Sequence, residues 1–551
     1  MTTSAESGLR SRIDVADMLA AAGVALLAVG ALAGVVQIAR TGWVPSSDQA
    51  FIEMAVRDVP SDLPLLGVFS RYGWSHPGPS WFYLLALPYR LAGSASEALA
   101  GTSLVLHVVA VAAAAWIARR LDRVAGVLVL VLLDVVLLAA GAAAVRDPWN
   151  PQVALVAAGL LVVCAWAAGE RRPVAAGLLL PLATLLVQAH AANGPLVVAA
   201  VAAAALATWW PGSDRPPVPR GAWVAGAVVA LALWVPPLVA QLRGDPGRIS
   251  ELFSAGTGAG PRAGLLGALG VFTGSFGLIP SWAGASAARE PYAQLGIALP
   301  VLFLVPMVGL VLAWRAGQWV LVRGVLVSSI ATVAVGVGVA MVEVYPLDGT
   351  EIVFGYLLVA LGSTSATTLA IGLAAALVAA PVAVRSTIRV VGGAVAVALG
   401  VTFVAVQSST ATPVPVLAPM VRTLGGAAVA ATSPGASLVL LDAADYPGAE
   451  GVALALERAG VEVAVAEPEL VTRFGPSRFA ADSTGRTELI VTAVDRRGEL
   501  QRNGWTVVAA CGPGMDAAGE ETIGGLVAFR GPDVSFVADS PGFADELPSC
   551  S

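Results

Sequence analysis

The sequence predicts an all-α polytopic membrane domain of about eleven transmembrane helices, followed by a small α/β domain. Hydrophobic residues make up 57% of the 551 residues and charged residues only 12%, about half the charged share of an ordinary soluble domain. A water-soluble globule is therefore excluded. Apolar stretches fill the chain up to about residue 409, so we expect a membrane domain over 1–409 and a soluble domain over 410–551.

The predicted spans are apolar stretches of about 20 residues, the length at which a helix crosses the roughly 30 Å hydrocarbon core with its backbone satisfied. The first span, from about Asp17 to Ala39, is too long for a cleaved signal peptide and is expected to remain as an anchor. The stretch at 352–384 is overlong and is expected to be kinked. The predicted spans lie near residues 17–39, 97–118, 124–145, 151–168, 173–190, 194–210, 221–240, 292–314, 319–341, 352–384 and 388–408.

Arginine placement predicts the orientation, because short cytoplasmic loops are enriched in basic residues. The arginines of alternate loops fall on one side of the predicted bundle: Arg10, Arg12, Arg119, Arg120, Arg123, Arg171, Arg172, Arg215, Arg220, Arg315, Arg323, Arg385 and Arg389. An odd number of spans then places the C-terminal domain outside the cytoplasm. Two long loops, about 41–95 and 241–291, lie on that outer side, so the functional site is expected there.

The C-terminal domain has the pattern of a βαβ unit with further strands. Ser437–Asp442 and Val461–Ala466 are typical of strands, and Gly448–Gly460 between them is typical of an amphipathic helix. Glu488–Val494 and Trp505–Ala510 could add strands. These segments predict an α/β domain of roughly 120 residues.

The cysteines indicate a disulfide, and the net charge excludes one class of partner. Two of the three cysteines, Cys511 and Cys550, fall in the C-terminal domain, and we expect them to pair if that domain lies in an oxidising compartment. The formal net charge is −6 and no basic surface carries interleaved aromatic residues. Nucleic acid is therefore not an expected partner.

The segment after the first span has the pattern of a short amphipathic helix beginning at Asp48. Ser46 or Ser47 can cap such a helix, and Glu53 and Arg57 are spaced to pair on one face. An apolar stripe formed by Phe51, Met54 and Ala55 would lie along the membrane surface. An interfacial helix with an acidic start is one interpretation of this segment.

A second interpretation comes from resemblance. An Asp at the start of the first outer loop, followed by Glu53, Ala55, Arg57 and Asp58, resembles the signature of GT-C glycosyltransferases, in the branch of the aminoarabinose transferases and protein O-mannosyltransferases. Trp74-Ser-His-Pro-Gly-Pro-Ser-Trp-Phe-Tyr83 is similar to the His/Lys-Pro-Pro stretch of that family. The chain departs from the common Asp-Glu pair because Gln49 follows Asp48, which leaves dependence on a divalent metal open.

The resemblance implies a membrane glycosyltransferase that uses a polyprenyl phosphate sugar as donor. The acceptor would be a cell-envelope glycan, glycolipid or protein on the outer face, and direct attack would invert the anomeric centre. Asp48 is the expected catalytic base, because a positioned carboxylate can take the acceptor hydroxyl proton as the bond forms.

The donor phosphate requires cationic or hydrogen-bonding groups, and guanidinium matches its geometry. The arginine candidates on the outer side are Arg57, Arg71, Arg146 and Arg243. Other candidates for substrate binding are Glu53, His76, Asn150, Gln188, His190 and Gln241. No metal site is predicted, because no third ligand stands at metal spacing beside the two histidines.

Other interpretations remain open for these residues and for the chain. Arg146 and Trp149 also fit an interfacial belt, and interfacial histidines are commonly structural. A transporter or flippase of lipid-linked precursors would share the many spans, but we find no paired halves, and Asp134 is the main acid inside the predicted spans. A membrane anchor for a binding module would not need so many spans.

Overall fold

The fold is taken from a computed structural model of the chain. The structure describes residues 14–70, 74–210, 217, 219–255, 262, 264–283, 300–341, 344–347, 350–353, 356–411, 417–441, 448–467, 470–480, 486–512, 514–515, 521–522, 525–530 and 550.

Fifteen helices form the membrane domain and the loops that cover it. They are α1 Val15–Thr41, α2 Asp48–Asp58, α3 Ser80–Leu91, α4 Glu97–Arg119, α5 Arg123–Arg146, α6 Ala154–Gly169, α7 Pro173–Ala189, α8 Gly194–Trp209, α9 Arg220–Arg243, α10 Ile249–Ala255, α11 Gly264–Ser275, α12 Leu304–Arg315, α13 Trp319–Met341, α14 Tyr356–Ala376 and α15 Val382–Ser409. A two-stranded hairpin, β1 Val344–Leu347 with β2 Thr350–Val353, precedes α14.

The prediction of a polytopic helical membrane domain is confirmed. Within the described residues, 9 helices are long and apolar enough to cross a membrane, and three shorter apolar helices accompany them. The overlong stretch at 352–384 is interrupted as predicted, because α14 gives way to a single 3₁₀ turn and a new helix starts after Pro381. Helix α11 was not predicted as an element, and part of the predicted span at 292–314 lies outside the described residues.

Small residues allow α1 and α15 to pack closely side by side. A Cβ on Gly30 would lie 2.5 Å from the Phe403 ring, and one on Gly400 would lie 2.8 Å from Leu26 Cβ. Close backbone approach through glycine is a common way for helices to associate in lipid, where the hydrophobic effect between helices is absent. The first and last spans are thereby joined into one unit.

Arginines and acids meet at the end of the bundle opposite the C-terminal domain. Asp17 pairs with Arg119 at 2.6 Å and with Arg389 at 3.3 Å, and Arg385 pairs with Asp122 at 3.1 Å. Arg119, Arg385 and Arg389 therefore lie at one end of the bundle, as the sequence predicted for them. Their acidic partners tie α1, α4, α5 and α15 together at this end.

The end of the bundle that carries the C-terminal domain is here called the tail end. A turn in α5 lies close to this end. Gly141 adopts φ 77°, a conformation that favours glycine, and bends the helix before Arg146. The Arg146 guanidinium is buried and donates to Gln407 Oε1 at 2.8 Å, to Gln407 O at 2.8 Å and to Thr410 O at 3.1 Å. This residue therefore fastens the end of α5 to the end of α15.

The C-terminal domain contains a five-stranded mixed sheet. The strand order is β4-β3-β5-β9-β6, with β3 parallel to both β4 and β5, and β9 antiparallel to β5 and β6. The strands are β3 Ser437–Leu441, β4 Glu462–Val465, β5 Thr487–Thr492, β6 Thr506–Cys511 and β9 Gly525–Arg530, with a short pair β7 Gly514–Met515 and β8 Glu521–Thr522. The helices are α16 Ala418–Ala430, α17 Ala449–Arg458, α18 Val471–Phe474 and α19 Arg497–Arg502.

The predicted α/β class is confirmed for this domain, although one strand of the five-stranded sheet and the short pair β7 and β8 were missed. The four predicted strands form within about two residues of their predicted limits, and α17 occupies the predicted helix. Strand β9 lies between β5 and β6 and completes the sheet. Because it pairs with segments distant in the chain, its place in the order depends on tertiary contacts.

The Cys511–Cys550 disulfide is present, as the sequence predicted. It links the end of β6 to the C-terminal segment, and Cys550 N donates to Gly512 O at 3.2 Å. The third cysteine, Cys164, is a buried free thiol inside α6.

We predict that Cys511 and Cys550 resist alkylation in the native protein and react after reduction. Cys164 should react only after denaturation, because its side chain has no exposed surface. Mass spectrometry of the alkylated peptides, with and without reductant, measures this. Free alkylation of both tail thiols without reductant would contradict the disulfide.

Candidate functional site

The helix that begins at Asp48 is present at the tail end of the bundle. Its first turn is closed by backbone bonds, from Gln49 N to Ser46 O at 3.1 Å and from Ala50 N to Ser47 O at 2.9 Å. Ser47 occupies the N-cap position, one of the two serines predicted for it, but it adopts φ 48° and its side chain makes no capping bond among the described residues. The turn nevertheless presents Asp48 at the helix start, beside the loop between α5 and α6.

Two carboxylates meet at this point through one tryptophan. Trp149 donates its ring Nε1 to Asp48 Oδ2 at 2.7 Å and its backbone N to Asp147 Oδ1 at 2.9 Å. Gln49 Nε2 lies 3.3 Å from Asp147 Oδ1 and 3.4 Å from Oδ2. Gln49, which stands where the family motif has its second acid, therefore binds Asp147 from the loop between α5 and α6.

Asp147 was not among the predicted site residues. Burial raises its pKa to about 6, the bonds from Trp149 and Gln49 act against that rise, and the charge of Asp48 adds to it. A carboxyl group with a pKa close to working pH is typical of functional sites. The available signal was its position at the mouth of two spans, on the side expected to carry the site.

The two predicted histidines of this side lie in contact. The rings of His76 and His190 have centroids 4.3 Å apart, and both side chains are buried. Backbone N–H groups donate to both Nδ1 atoms, from Ala191 to His76 at 3.2 Å and from Ala192 to His190 at 3.3 Å. Burial lowers the pKa of both rings, that of His190 to about 3, and the proximity of His190 adds to the effect on His76. Both rings are therefore neutral near pH 7.

Gln188 and Asn150 connect this histidine pair to the neighbouring elements. Gln188 accepts from Ser80 N at 3.3 Å and donates to Leu233 O at 2.9 Å, while Asn150 donates to Ala189 O at 2.8 Å. A Cβ on Gly78 would lie 2.4 Å from Gln188 Cδ, which explains a glycine where the family-like stretch has a second proline. These four predicted residues, His76, Asn150, Gln188 and His190, are brought together.

The predicted pairing of Glu53 with Arg57 on an exposed face is wrong. Glu53 is fully buried and accepts from Tyr89 Oη at 2.8 Å and from Arg458 of the C-terminal domain. The apolar stripe of α2 also faces a different partner: Phe51 packs edge-to-face on Phe474, with ring centroids 5.1 Å apart. The stripe contacts the C-terminal domain because that domain covers α2 where lipid surface was expected.

The remaining arginine and glutamine candidates are dispersed. Arg146 is engaged by Gln407 and Thr410, so its observed role is to join helix ends. Arg243 is exposed at the end of α9, and Gln241 bonds Ser250 through both of its amide atoms, at 3.0 and 3.2 Å. Arg71 lies outside the described residues. Arg57 is partly buried near Tyr89.

The C-terminal domain contributes charged groups that sequence reasoning missed. Glu450 is buried, and burial raises its pKa, with a smaller contribution from the charge of Asp48. Arg473 pairs with Glu450 at 3.0 Å and its guanidinium lies 5.3 Å from the centroid of the Phe51 ring. The site around Asp48 is therefore bounded by both domains.

No group of three or more potential metal ligands among His, Cys, Asp and Glu occurs within the part of the chain that the structure describes. Asp48 and Asp147 together offer two carboxylates, which is fewer than the three protein ligands that a catalytic zinc site usually has.

The structure resembles that of a known membrane enzyme over nearly its whole length. The crystal structure of ArnT from Cupriavidus metallidurans bound to undecaprenyl phosphate matches with a TM-score of 0.53 and 14% sequence identity, covering 94% of this chain and 99% of that one. The cryo-EM structure of the mycobacterial arabinofuranosyltransferase AftD has a TM-score of 0.36 and 14% identity, covering 92% of this chain and 40% of that one. The second score is too low to establish a shared fold.

No protein-family model and no curated protein sequence matches the chain. The chain nevertheless shares the fold of ArnT, which is a GT-C glycosyltransferase. The resemblance stated from the sequence is thereby confirmed at the level of the fold.

We predict that Glu53→Gln lowers the free energy of unfolding by about 1–3 kcal/mol, because it removes a buried charge from two bonded partners. Glu488→Gln, which removes the partner of the half-exposed Arg530 on the sheet, is the matched control and should lower it by less than about 1 kcal/mol. Denaturant unfolding in detergent measures both. Equal, small losses would show that the Glu53 contacts contribute little.

Proposed function

We propose that this protein is a membrane glycosyltransferase that moves a sugar from a polyprenyl phosphate to an acceptor hydroxyl, with Asp48 as catalytic base. The observation that carries the proposal is the contact of Asp48 with Trp149, beside Asp147 and at the end of a GT-C bundle. ArnT, which shares the fold, was solved bound to undecaprenyl phosphate. That lipid supports a polyprenyl phosphate as the carrier of the donor sugar.

The reaction is a single displacement. The acceptor oxygen forms a bond to the anomeric carbon, the bond from that carbon to the phosphate oxygen breaks, and Asp48 takes the acceptor proton. Polyprenyl phosphate leaves with the bonding electron pair, and the anomeric centre is inverted. Trp149 holds one oxygen of Asp48, which fixes the direction from which the carboxylate meets the acceptor.

The leaving phosphate gains charge as the bond breaks and needs donors aimed at it. The neutral pair of His76 and His190 accepts backbone N–H groups at Nδ1, so each ring carries its proton on Nε2. We assign these rings to the donor side of the site, and we retain Arg57, Arg71 and Arg243 as candidates for donor binding from the sequence pattern alone. Arg146 is left out of this assignment because its guanidinium bonds the end of α15.

We place the tail end of the bundle outside the cytoplasm. The disulfide between Cys511 and Cys550 supports this, because disulfides persist in oxidising compartments. The arginine cluster around Arg119 and Arg389 at the opposite end agrees with a cytoplasmic location for that end. The acceptor would then be an envelope glycan, glycolipid or protein, and the donor would enter from the surrounding membrane lipid.

A transporter or flippase of lipid-linked precursors is the second candidate. One observation favours it: Asp134 is buried within α5, and neither carboxylate oxygen has a hydrogen-bond partner among the described residues. Acids inside membrane spans commonly mark transport pathways. Asp134→Asn should leave transfer intact if the protein is a transferase, and loss of lipid translocation in vesicles with this variant would favour transport.

We predict that Asp48→Asn lowers turnover by on the order of 10²- to 10⁴-fold and leaves donor affinity nearly unchanged, because the amide keeps the shape but accepts no proton. Asp62→Asn, an exposed acid of the same loop, is the control and should retain full turnover. Turnover and donor binding are measured on purified protein. Full activity in Asp48→Asn would remove the base from the proposal.

We predict that turnover rises with pH through about 6, the pKa of Asp147. Below that pH Asp147 is neutral, and above it the negative charge favours proton transfer to the neighbouring Asp48 carboxylate. In Asp147→Asn this rise should be absent and the plateau lower. Turnover measured between about pH 4.5 and 8 tests the prediction. An unchanged profile in the variant would exclude Asp147 as its origin.

A further inference from the structure

We infer that Arg458 of the C-terminal domain is a positioning residue for Asp48, so that the transferase site is complete only when both domains are in contact. This inference rests on the proposed function. The C-terminal domain would then contribute to catalysis. An independent binding module would make no such contribution.

The contact joins three segments of the chain. Arg458, the last residue of α17, donates from one terminal nitrogen to Glu53 in α2 and to Ser96 Oγ at 2.8 Å, just before α4. Tyr89 of α3 donates to the same Glu53 oxygen at 2.8 Å. One arginine of the C-terminal domain therefore meets the helix that begins with Asp48 and the helices that support it.

Glu53 needs a cationic partner because its carboxylate is buried. Its side chain has no exposed surface, and its second carboxylate oxygen has no partner among the described residues. A buried carboxylate left without its cation is strongly unfavourable. Without Arg458, α2 is therefore expected to shift until Glu53 reaches water or another partner.

Such a shift would be transmitted to Asp48. The two residues are five positions apart in α2, about 7.5 Å along the helix axis, so the helix moves them together. Asp48 also depends on its 2.7 Å bond to Trp149, which belongs to the membrane domain. A displacement of about 1 Å is enough to lower a rate on the order of 10²-fold.

Other contacts keep α2 docked when Arg458 is changed. At the end of the helix, Arg478 binds both oxygens of Asp58, at 2.7 and 2.9 Å. Near its start, Phe51 packs on Phe474. These contacts should keep α2 bound to the C-terminal domain when Arg458 is replaced. A replacement of Arg458 should therefore change the position of α2 without unfolding the protein.

The test compares Arg458→Gln and Arg458→Lys with a matched control, Arg530→Gln. Arg530 pairs with Glu488 at 2.6 Å on the sheet of the same domain, and both residues lie in strands away from α2. Turnover and the KM for a polyprenyl phosphate sugar are measured on the full-length protein. Hydrogen exchange of residues 48–58 is measured on the same samples.

Arg458→Gln should lower kcat by about 10- to 100-fold with KM within about twofold, and exchange of the α2 amides should accelerate. Arg458→Lys should recover most of kcat, because its ammonium can reach Glu53 and Ser96, and Arg530→Gln should match the wild type. Unchanged kcat in Arg458→Gln, or an equal loss in Arg530→Gln, would overturn the inference. If Arg458→Gln does not fold, Arg458→Lys decides: wild-type kcat and exchange support the inference, and low kcat with unchanged exchange opposes it.

Failure of the proposed function gives a different result. If the wild type transfers sugar from no donor, the kinetic comparison is void for all variants, and the transferase proposal fails. Hydrogen exchange then still reports whether Arg458 holds α2. Unchanged exchange in Arg458→Gln in an active enzyme with normal kcat refutes the positioning role alone.

Discussion

The docking of α2 between the membrane bundle and the C-terminal domain is the contact on which the candidate site depends. One face of the helix packs through Ile52 and Val56 into the bundle core, and another packs through Phe51 and Met54 into the core of the C-terminal domain. Eleven residues could not hold a fixed direction alone, because short isolated helices are marginal in water. Burial on two sides supplies the rigidity that a positioned carboxylate needs.

Polar contacts join neighbouring elements at both ends of the bundle. At one end, acids and arginines pair with each other, as with Asp17 and Arg119. At the tail end, Asp48 and Asp147 are bridged by tryptophan and glutamine groups. Trp149 and Gln49 thereby hold the two carboxylates of the proposed site side by side.

Hydropathy and periodicity predicted the helical membrane domain and the α/β class of the C-terminal domain, because both leave a local pattern in the sequence. The disulfide followed from the presence of two cysteines in that domain. The contacts of Glu53 with Arg458 and of Arg146 with Gln407 could not be predicted, since these partners lie 405 and 261 residues apart in the chain. Asp147 was missed for a related reason: its pKa depends on burial and on Asp48, which only the folded structure brings close. The spacing of four residues predicted an ion pair between Glu53 and Arg57. In the structure Glu53 instead pairs with Arg458 of the C-terminal domain.

A panel of donors tests most directly whether the protein uses a polyprenyl phosphate sugar. Purified full-length protein in lipid is incubated with radiolabelled polyprenyl phosphate sugars and with or without an envelope glycan extract. We expect at least one donor to release polyprenyl phosphate and to yield labelled product of inverted anomeric configuration. Neither transfer nor hydrolysis from any donor, with protein of native fold, would contradict the account.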